Sequence, residues 1–273
     1  MESRFEMNRI EKKIRQLKEQ NRKALATYIV NGDPTPDITL AAMHVLVEAG
    51  VDILEIGVPF SDPMAEGPII QRGHERALVH GTSLRDTLQL VKAFRQTNTD
   101  TPIVLMGYAN PIERMGYAAF ADAAADAGVD GLLTVDLPPE EADDLHKLLK
   151  QRGVETIFLL APTSSEARIK RVSELAGGFI YYVSLKGVTG ASHLDIGSVK
   201  DKLSVISRYS QLPVMVGFGI KDALSAQAVS SYADGVVVGS ALVDIMGSGH
   251  SQAQILENLS AKVKSIRVAL DQR

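Results

Sequence analysis

Glu55 has the least ordinary setting of any residue in this chain. It sits in Val51-Asp52-Ile53-Leu54-Glu55-Ile56-Gly57-Val58-Pro59, an otherwise mostly apolar run of strand length. Side chains alternate along a strand, so Leu54 and Ile56 share one face and Ile53, Glu55 and Gly57 the other. If the first face meets helices, Glu55 points into an interior. A carboxyl group there is desolvated, which favours its neutral form and suits it to give and take protons near neutral pH. A glutamate paired with a buried Lys or Arg would look the same, although no basic residue lies at the neighbouring strand ends. A second carboxylate follows in Phe60-Ser61-Asp62-Pro63-Met64-Ala65-Glu66-Gly67-Pro68. Asp62 and Glu66 can both reach inward from this loop. Spacing does not choose between them, and either also fits a loop cap or a solvated charge.

Three glycine clusters each follow an apolar run: Lys186-Gly187-Val188-Thr189-Gly190-Ala191, Gly217-Phe218-Gly219-Ile220 and Gly239-Ser240-Ala241. Glycine lets the backbone approach a phosphate closely, and free N–H groups at a helix start complete an anion site. Each cluster alone also reads as a tight turn; together they favour a phosphorylated small-molecule substrate. Tyr28, Tyr108 and Tyr181 lie in or just after apolar runs, where they can line a pocket for a flat ring or simply pack the rim. The histidines show no metal-ligand spacing, and there is no Gly-x-Ser-x-Gly elbow or Walker loop. The chain has no cysteine, which removes thiolate metal sites and a Cys nucleophile. Neither a metal nor a cofactor is expected.

The elements that must position these residues alternate. Strand candidates fall at 24–30, 51–56, 102–106, 131–135, 156–161, 179–183, 213–216 and 235–238. Between them lie stretches with helical spacing, such as Leu84, Leu88, Val91 and Phe94. Eight strands each followed by a helix predict a single (β/α)8 barrel over 1–273, with an open doubly wound sheet as the alternative. In a barrel the strand C-termini carry the active site. An extra amphipathic helix over 8–19, with Ile10, Ile14 and Leu17 on one face, precedes the first strand. Ala49-Gly50-Val51-Asp52 and Ala127-Gly128-Val129-Asp130 rhyme, and Ala233-Asp234-Gly235-Val236 is a looser copy; each joins a helix to a strand.

Composition narrows the partners. Apolar residues make up 45% of the chain, enough for a large core, and the net charge of −4 argues against a nucleic-acid surface. Residues 1–22 lack the unbroken apolar run of a signal peptide, and nowhere is a run long enough to span a bilayer. A cytoplasmic location is expected.

Leu54-Glu55-Ile56-Gly57-Val58-Pro59-Phe60-Ser61-Asp62-Pro63 and Gly67-Pro68-Ile69-Ile70-Gln71 resemble the signature of tryptophan synthase α subunits. Gly32-Asp33-Pro34, Tyr108-Ala109-Asn110-Pro111, Gly187-Val188-Thr189-Gly190-Ala191 and Gly217-Phe218-Gly219-Ile220 follow in the family's order, from about Ile10 to the last helix. The resemblance implies a lyase of tryptophan biosynthesis that splits indole-3-glycerol phosphate into indole and glyceraldehyde 3-phosphate. By motif, Glu55 matches the acid–base glutamate. Glu66 stands where the family motif has aspartate, one methylene longer, and would stabilise charge at the indole nitrogen. Thr189 matches the flap threonine that orients this carboxylate. Gly190, Gly217, Phe218, Gly219, Gly239 and Ser240 match phosphate and glycerol contacts; Tyr28 (Phe in some members), Ile70, Tyr108 and Tyr181 match pocket walls. The family also implies a β subunit that holds pyridoxal phosphate, an α2β2 heterotetramer, allosteric activation, and contacts through 59–63 and the flap at 186–197. Two other readings are a catalytically weakened regulatory subunit and another phosphate-binding barrel enzyme.

Overall fold

The computed structural model describes residues 7–184, 196–217 and 219–272. Nine parallel strands run through them: β1 (Ala24–Val30), β2 (Ile53–Gly57), β3 (Ile103–Gly107), β4 (Gly131–Thr134), β5 (Glu155–Ile157), β6 (Leu159–Leu160), β7 (Ile180–Val183), β8 (Val214–Gly217) and β9 (Gly235–Val238). The hydrogen-bonded order is β5-β4-β3-β2-β1-β9-β8-β7-β6. The two edges, β5 and β6, are halves of one extended run parted at Phe158, so the chain itself closes the sheet into the expected barrel. The fifth strand, expected as one piece over 156–161, is therefore two short ones. Its first half pairs with β4 and its second with β7.

Both faces of the sheet are buried, as a parallel barrel requires. Leu54, Ile56, Leu105, Leu132, Val216 and Val236 face outward into the helical layer, while Ile53, Val104, Met106, Leu133, Met215 and Val237 fill the interior. Alternation along β2 thus puts Glu55 inside. The helix Arg9–Glu19, started by the Asn8 side chain accepting from the Ile10 N–H, adds Ile10, Ile14 and Leu17 to that interior set. A Cβ on Gly131 or Gly178 would lie 3.0 or 3.1 Å from Ile10, so glycines at both positions make room for this plug.

The repeated Ala-Gly-x-Asp segments have one structural purpose. Gly50 (φ 105°) and Gly128 (φ 86°) adopt the left-handed turn that returns the chain to the sheet. Two residues later, Asp52 takes the Leu25 N–H on its carboxylate at 2.9 Å and gives its own N–H to the Leu25 carbonyl at 2.8 Å. Asp130 forms the same ring with Ile103, and Asp234 with Val214. Each aspartate clamps its strand to the preceding one in the chain, at the end of the barrel opposite the site.

Candidate active site

The register of β1 against β2 sets Tyr28 beside Glu55, and that of β2 against β3 sets Val104 on its other side. Glu55 is 2% exposed, and neither carboxylate oxygen has a hydrogen-bond partner among the described residues. No Lys or Arg there pairs with it either, so the bland reading of a structural ion pair fails for those residues. Burial pushes its pKa up to about 8, with a further push from the charge of Glu66.

The loop after β2 decides between the two candidate carboxylates. Asp62 is exposed, its carboxylate taking the Ser61 hydroxyl, whereas Glu66 is 5% exposed and turned inward. Three contacts hold the loop in that position. The Ala65 N–H donates to the Tyr108 hydroxyl at 3.3 Å, Gln71 Nε2 donates to the Glu66 carbonyl at 2.9 Å, and Phe60 stacks on Tyr108 with centroids 5.0 Å apart. Tyr108 is therefore more than a wall: it carries the loop. Burial raises the Glu66 pKa to about 7. Burial thus holds both carboxyl groups toward their neutral forms, with the charge of Glu66 adding to the effect at Glu55.

Tyr28 and Tyr181 complete the interior wall, and both phenols are held protonated by burial and by the two glutamates. Their rings fit because two strand-end residues lack side chains. A Cβ on Gly57 would lie 2.3 Å from the Tyr28 oxygen, and one on Gly217 2.2 Å from the Tyr181 oxygen. Gly217, expected as a phosphate contact, thus also has a packing reason to be glycine. Ile70 and Tyr28 both pass under Gly239, whose hypothetical Cβ would touch them at 3.4 to 3.8 Å. Gly239 and Ser240 begin the helix Ser240–Met246 directly after β9, leaving the first N–H groups without helical acceptors. Gly219 has φ 79°, a turn that suits glycine. Thr189, Gly190 and Phe218 lie outside the described residues, as does most of the flap.

Sequence reasoning passed over the helix Pro68–Val79 apart from Ile70. Its inward face carries Gln71, which holds the Glu66 loop, and His74, which bonds Tyr28 and the Phe60 N–H. Arg76 makes a two-point ion pair with fully buried Asp33 at 2.6 and 3.0 Å, tying the Gly32-Asp33-Pro34 turn to this helix. The clue was available: Ile70, His74 and Ala77 recur at helical spacing, marking a histidine on an apolar face. Among the described residues, no group of three or more His, Cys, Asp or Glu could hold a metal ion.

Known proteins are similar along nearly the whole chain. The profile described as tryptophan synthase alpha chain matches residues 14–271. The chain belongs to the tryptophan synthase alpha chain family. The alpha chain of Marinobacter nauticus is 56% identical over 266 residues, covering 97% of this chain and 98% of that one. The alpha chain of Thioalkalivibrio sulfidiphilus is 60% identical over 238 residues, covering 87% and 90%. The crystal structure of the Legionella pneumophila alpha subunit superposes with a TM-score of 0.90 at 44% identity, covering 97% and 99%. As a member of this family it is a carbon–carbon lyase of tryptophan biosynthesis, cleaving indole-3-glycerol phosphate.

Proposed function

We propose that the whole chain works as one barrel in which Glu55 and Glu66 divide the cleavage between them. Glu55, protonated, gives its proton to the ring carbon that bears the glycerol chain. That carbon becomes tetrahedral and positive charge appears at the indole nitrogen, where ionised Glu66 stabilises it. The hydroxyl on the adjacent carbon then loses its proton to the Glu55 carboxylate. Its O–H electrons form the carbonyl of glyceraldehyde 3-phosphate, the carbon–carbon bond breaks, and that pair restores the aromatic indole. Glu55 ends as it began. What supports this is the pair of buried carboxyl groups with no described counter-cation, both raised by burial toward neutral pH. Tyr28, Ile70, Tyr108 and Tyr181 wall the ring. Gly190, Gly217, Phe218, Gly219, Gly239 and Ser240 hold the phosphate and glycerol, and Thr189 orients Glu66.

The chain needs no cofactor of its own in this scheme. We further propose a tryptophan synthase β subunit as partner, carrying pyridoxal phosphate, in a cytoplasmic α2β2 assembly whose formation activates the lyase. Met64, 79% exposed at the tip of the Glu66 loop, suits such a contact because an apolar side chain there gains from being covered. Among the described residues no helix is long and apolar enough to cross a membrane.

The test is indole release from indole-3-glycerol phosphate by the purified chain, alone and with a cognate β subunit. Slow release that rises sharply with the partner is expected. No release in either case, with the partner still activated, would replace this scheme by a regulatory role.

A further inference from the structure

Glu66 is the one buried residue between Ser61 and Ile70; Met64, Ala65 and Pro68 around it are exposed. A carboxyl group leaves water at a cost, and this stretch has no buried apolar side chain to offset it. No described residue hydrogen-bonds the carboxyl group, whose raised pKa has burial as its one cause. Its place must therefore come from the backbone. There both polar groups of Glu66 are engaged. The N–H donates to the Pro63 carbonyl at 3.0 Å, and the carbonyl accepts from Gln71 Nε2 at 2.9 Å. Only the amide nitrogen can donate to a carbonyl, which fixes the orientation of the Gln71 side chain. The first bond lies within the loop and moves with it, whereas the second ties the loop to the helix Pro68–Val79. Gly67 adds nothing at this joint: it offers no side-chain cap, and a Cβ built on it would meet nothing within 4 Å. On the other flank of Glu66 the loop is tied by the longer Ala65–Tyr108 bond, at 3.3 Å.

We propose that Gln71 is a positioning residue for Glu66: its side-chain amide fixes the Glu66–Gly67 peptide against the helix and so holds the carboxyl group inside the site. Without that bond the peptide turns about Gly67, whose backbone is permissive, and the carboxyl group returns to water. The proposal rests, for its purpose, on the reading that Glu66 acts in the cleavage, but its first test needs no turnover.

Gln71→Met keeps the side chain's length and suits a helix but cannot donate. In the unliganded full chain, carbon-13-labelled glutamate reports each carboxyl titration, and the Glu66 signal is the one missing from Glu66→Gln. We expect this titration to fall from about 7 in the native chain toward 4.5 in Gln71→Met. In cleavage assays Gln71→Met should lower kcat by up to about a hundredfold, the cost of a misplacement of about an ångström, with KM held. In the Glu66→Gln background the same exchange should change kcat by no more than about twofold, because the amide acts through a carboxylate already gone. In the native chain, where nothing is substituted, a Gln71 side-chain amide hydrogen should exchange slowly with water. A Glu66 titration unmoved in Gln71→Met, equal kcat losses in both backgrounds, or a freely exchanging amide would overturn the proposal. Failure of the native chain to release indole would instead strike the reaction, because titration and exchange need no turnover.

Discussion

Replacing Glu55 by glutamine keeps the side chain's shape and deletes both its proton and its charge, and the two losses act in opposite directions. In the folded chain burial and Glu66 raise its pKa from 4.5 to about 8. The native state therefore holds a proton that the unfolded chain has already released, and stability falls as pH rises between those two values. Each unit is worth about 1.36 kcal/mol. Between 4.5 and pH 7 the carboxyl group thus costs the fold about 3 kcal/mol, rising to about 5 kcal/mol above pH 8, where the cost levels off. Glutamine has nothing to ionise. Urea unfolding of both proteins at pH 5, 7 and 8.5 should show Glu55→Gln gaining on the native chain by those amounts as pH increases. Its indole release should meanwhile fall by roughly 10²- to 10⁴-fold, the usual worth of a general acid, with substrate binding largely kept. A stability difference that stays flat across this range would mean that Glu55 is solvated or paired in the folded chain. Near-normal turnover would remove it from the chemistry.

The native pH profile of kcat/KM should be a narrow bell, rising as Glu66 loses its proton near pH 7 and falling as Glu55 loses its own near pH 8, both steps belonging to the coupled pair; a flat profile from pH 6 to 9 would refute the division of roles. Gly217→Ala forces a methyl group to within 2.2 Å of the Tyr181 oxygen. Denaturant midpoints should show a cost of about 1–3 kcal/mol from overpacking, with cleavage impaired as the ring shifts. Arg267→Met leaves Asp52 buried without its cation, which bonds it at 3.1 Å. A loss of about 3–5 kcal/mol is expected, with kcat unchanged at 25 °C because the pair lies at the far end of the barrel. Glu66→Asp withdraws the carboxylate by one methylene from a loop fitted around the longer chain, and kcat should fall by up to about a hundredfold; unchanged activity would show that the loop tolerates either length.

Much of this protein is legible along the chain because its determinants are local. Apolar runs of strand length, helical spacing between them and glycine at the returns are enough to specify a βα repeat, since strand alternation and helix period depend on neighbouring residues alone. That same alternation places Glu55 inside, and the motif order names the family. The choice between Asp62 and Glu66 is not local. It depends on Tyr108 from the end of β3, which stacks on the loop's own Phe60, and on Gln71 from the following helix, and burial is what separates a solvated carboxylate from a poised one. The His74 bridge, the glycines that yield space to Tyr28 and Tyr181, and the aspartate rings behind the Ala-Gly-x-Asp repeat likewise join residues distant in sequence. Proton affinity belongs to this second group: it is set by how much water the closed barrel excludes around a carboxyl group, and that is a property of packing in three dimensions.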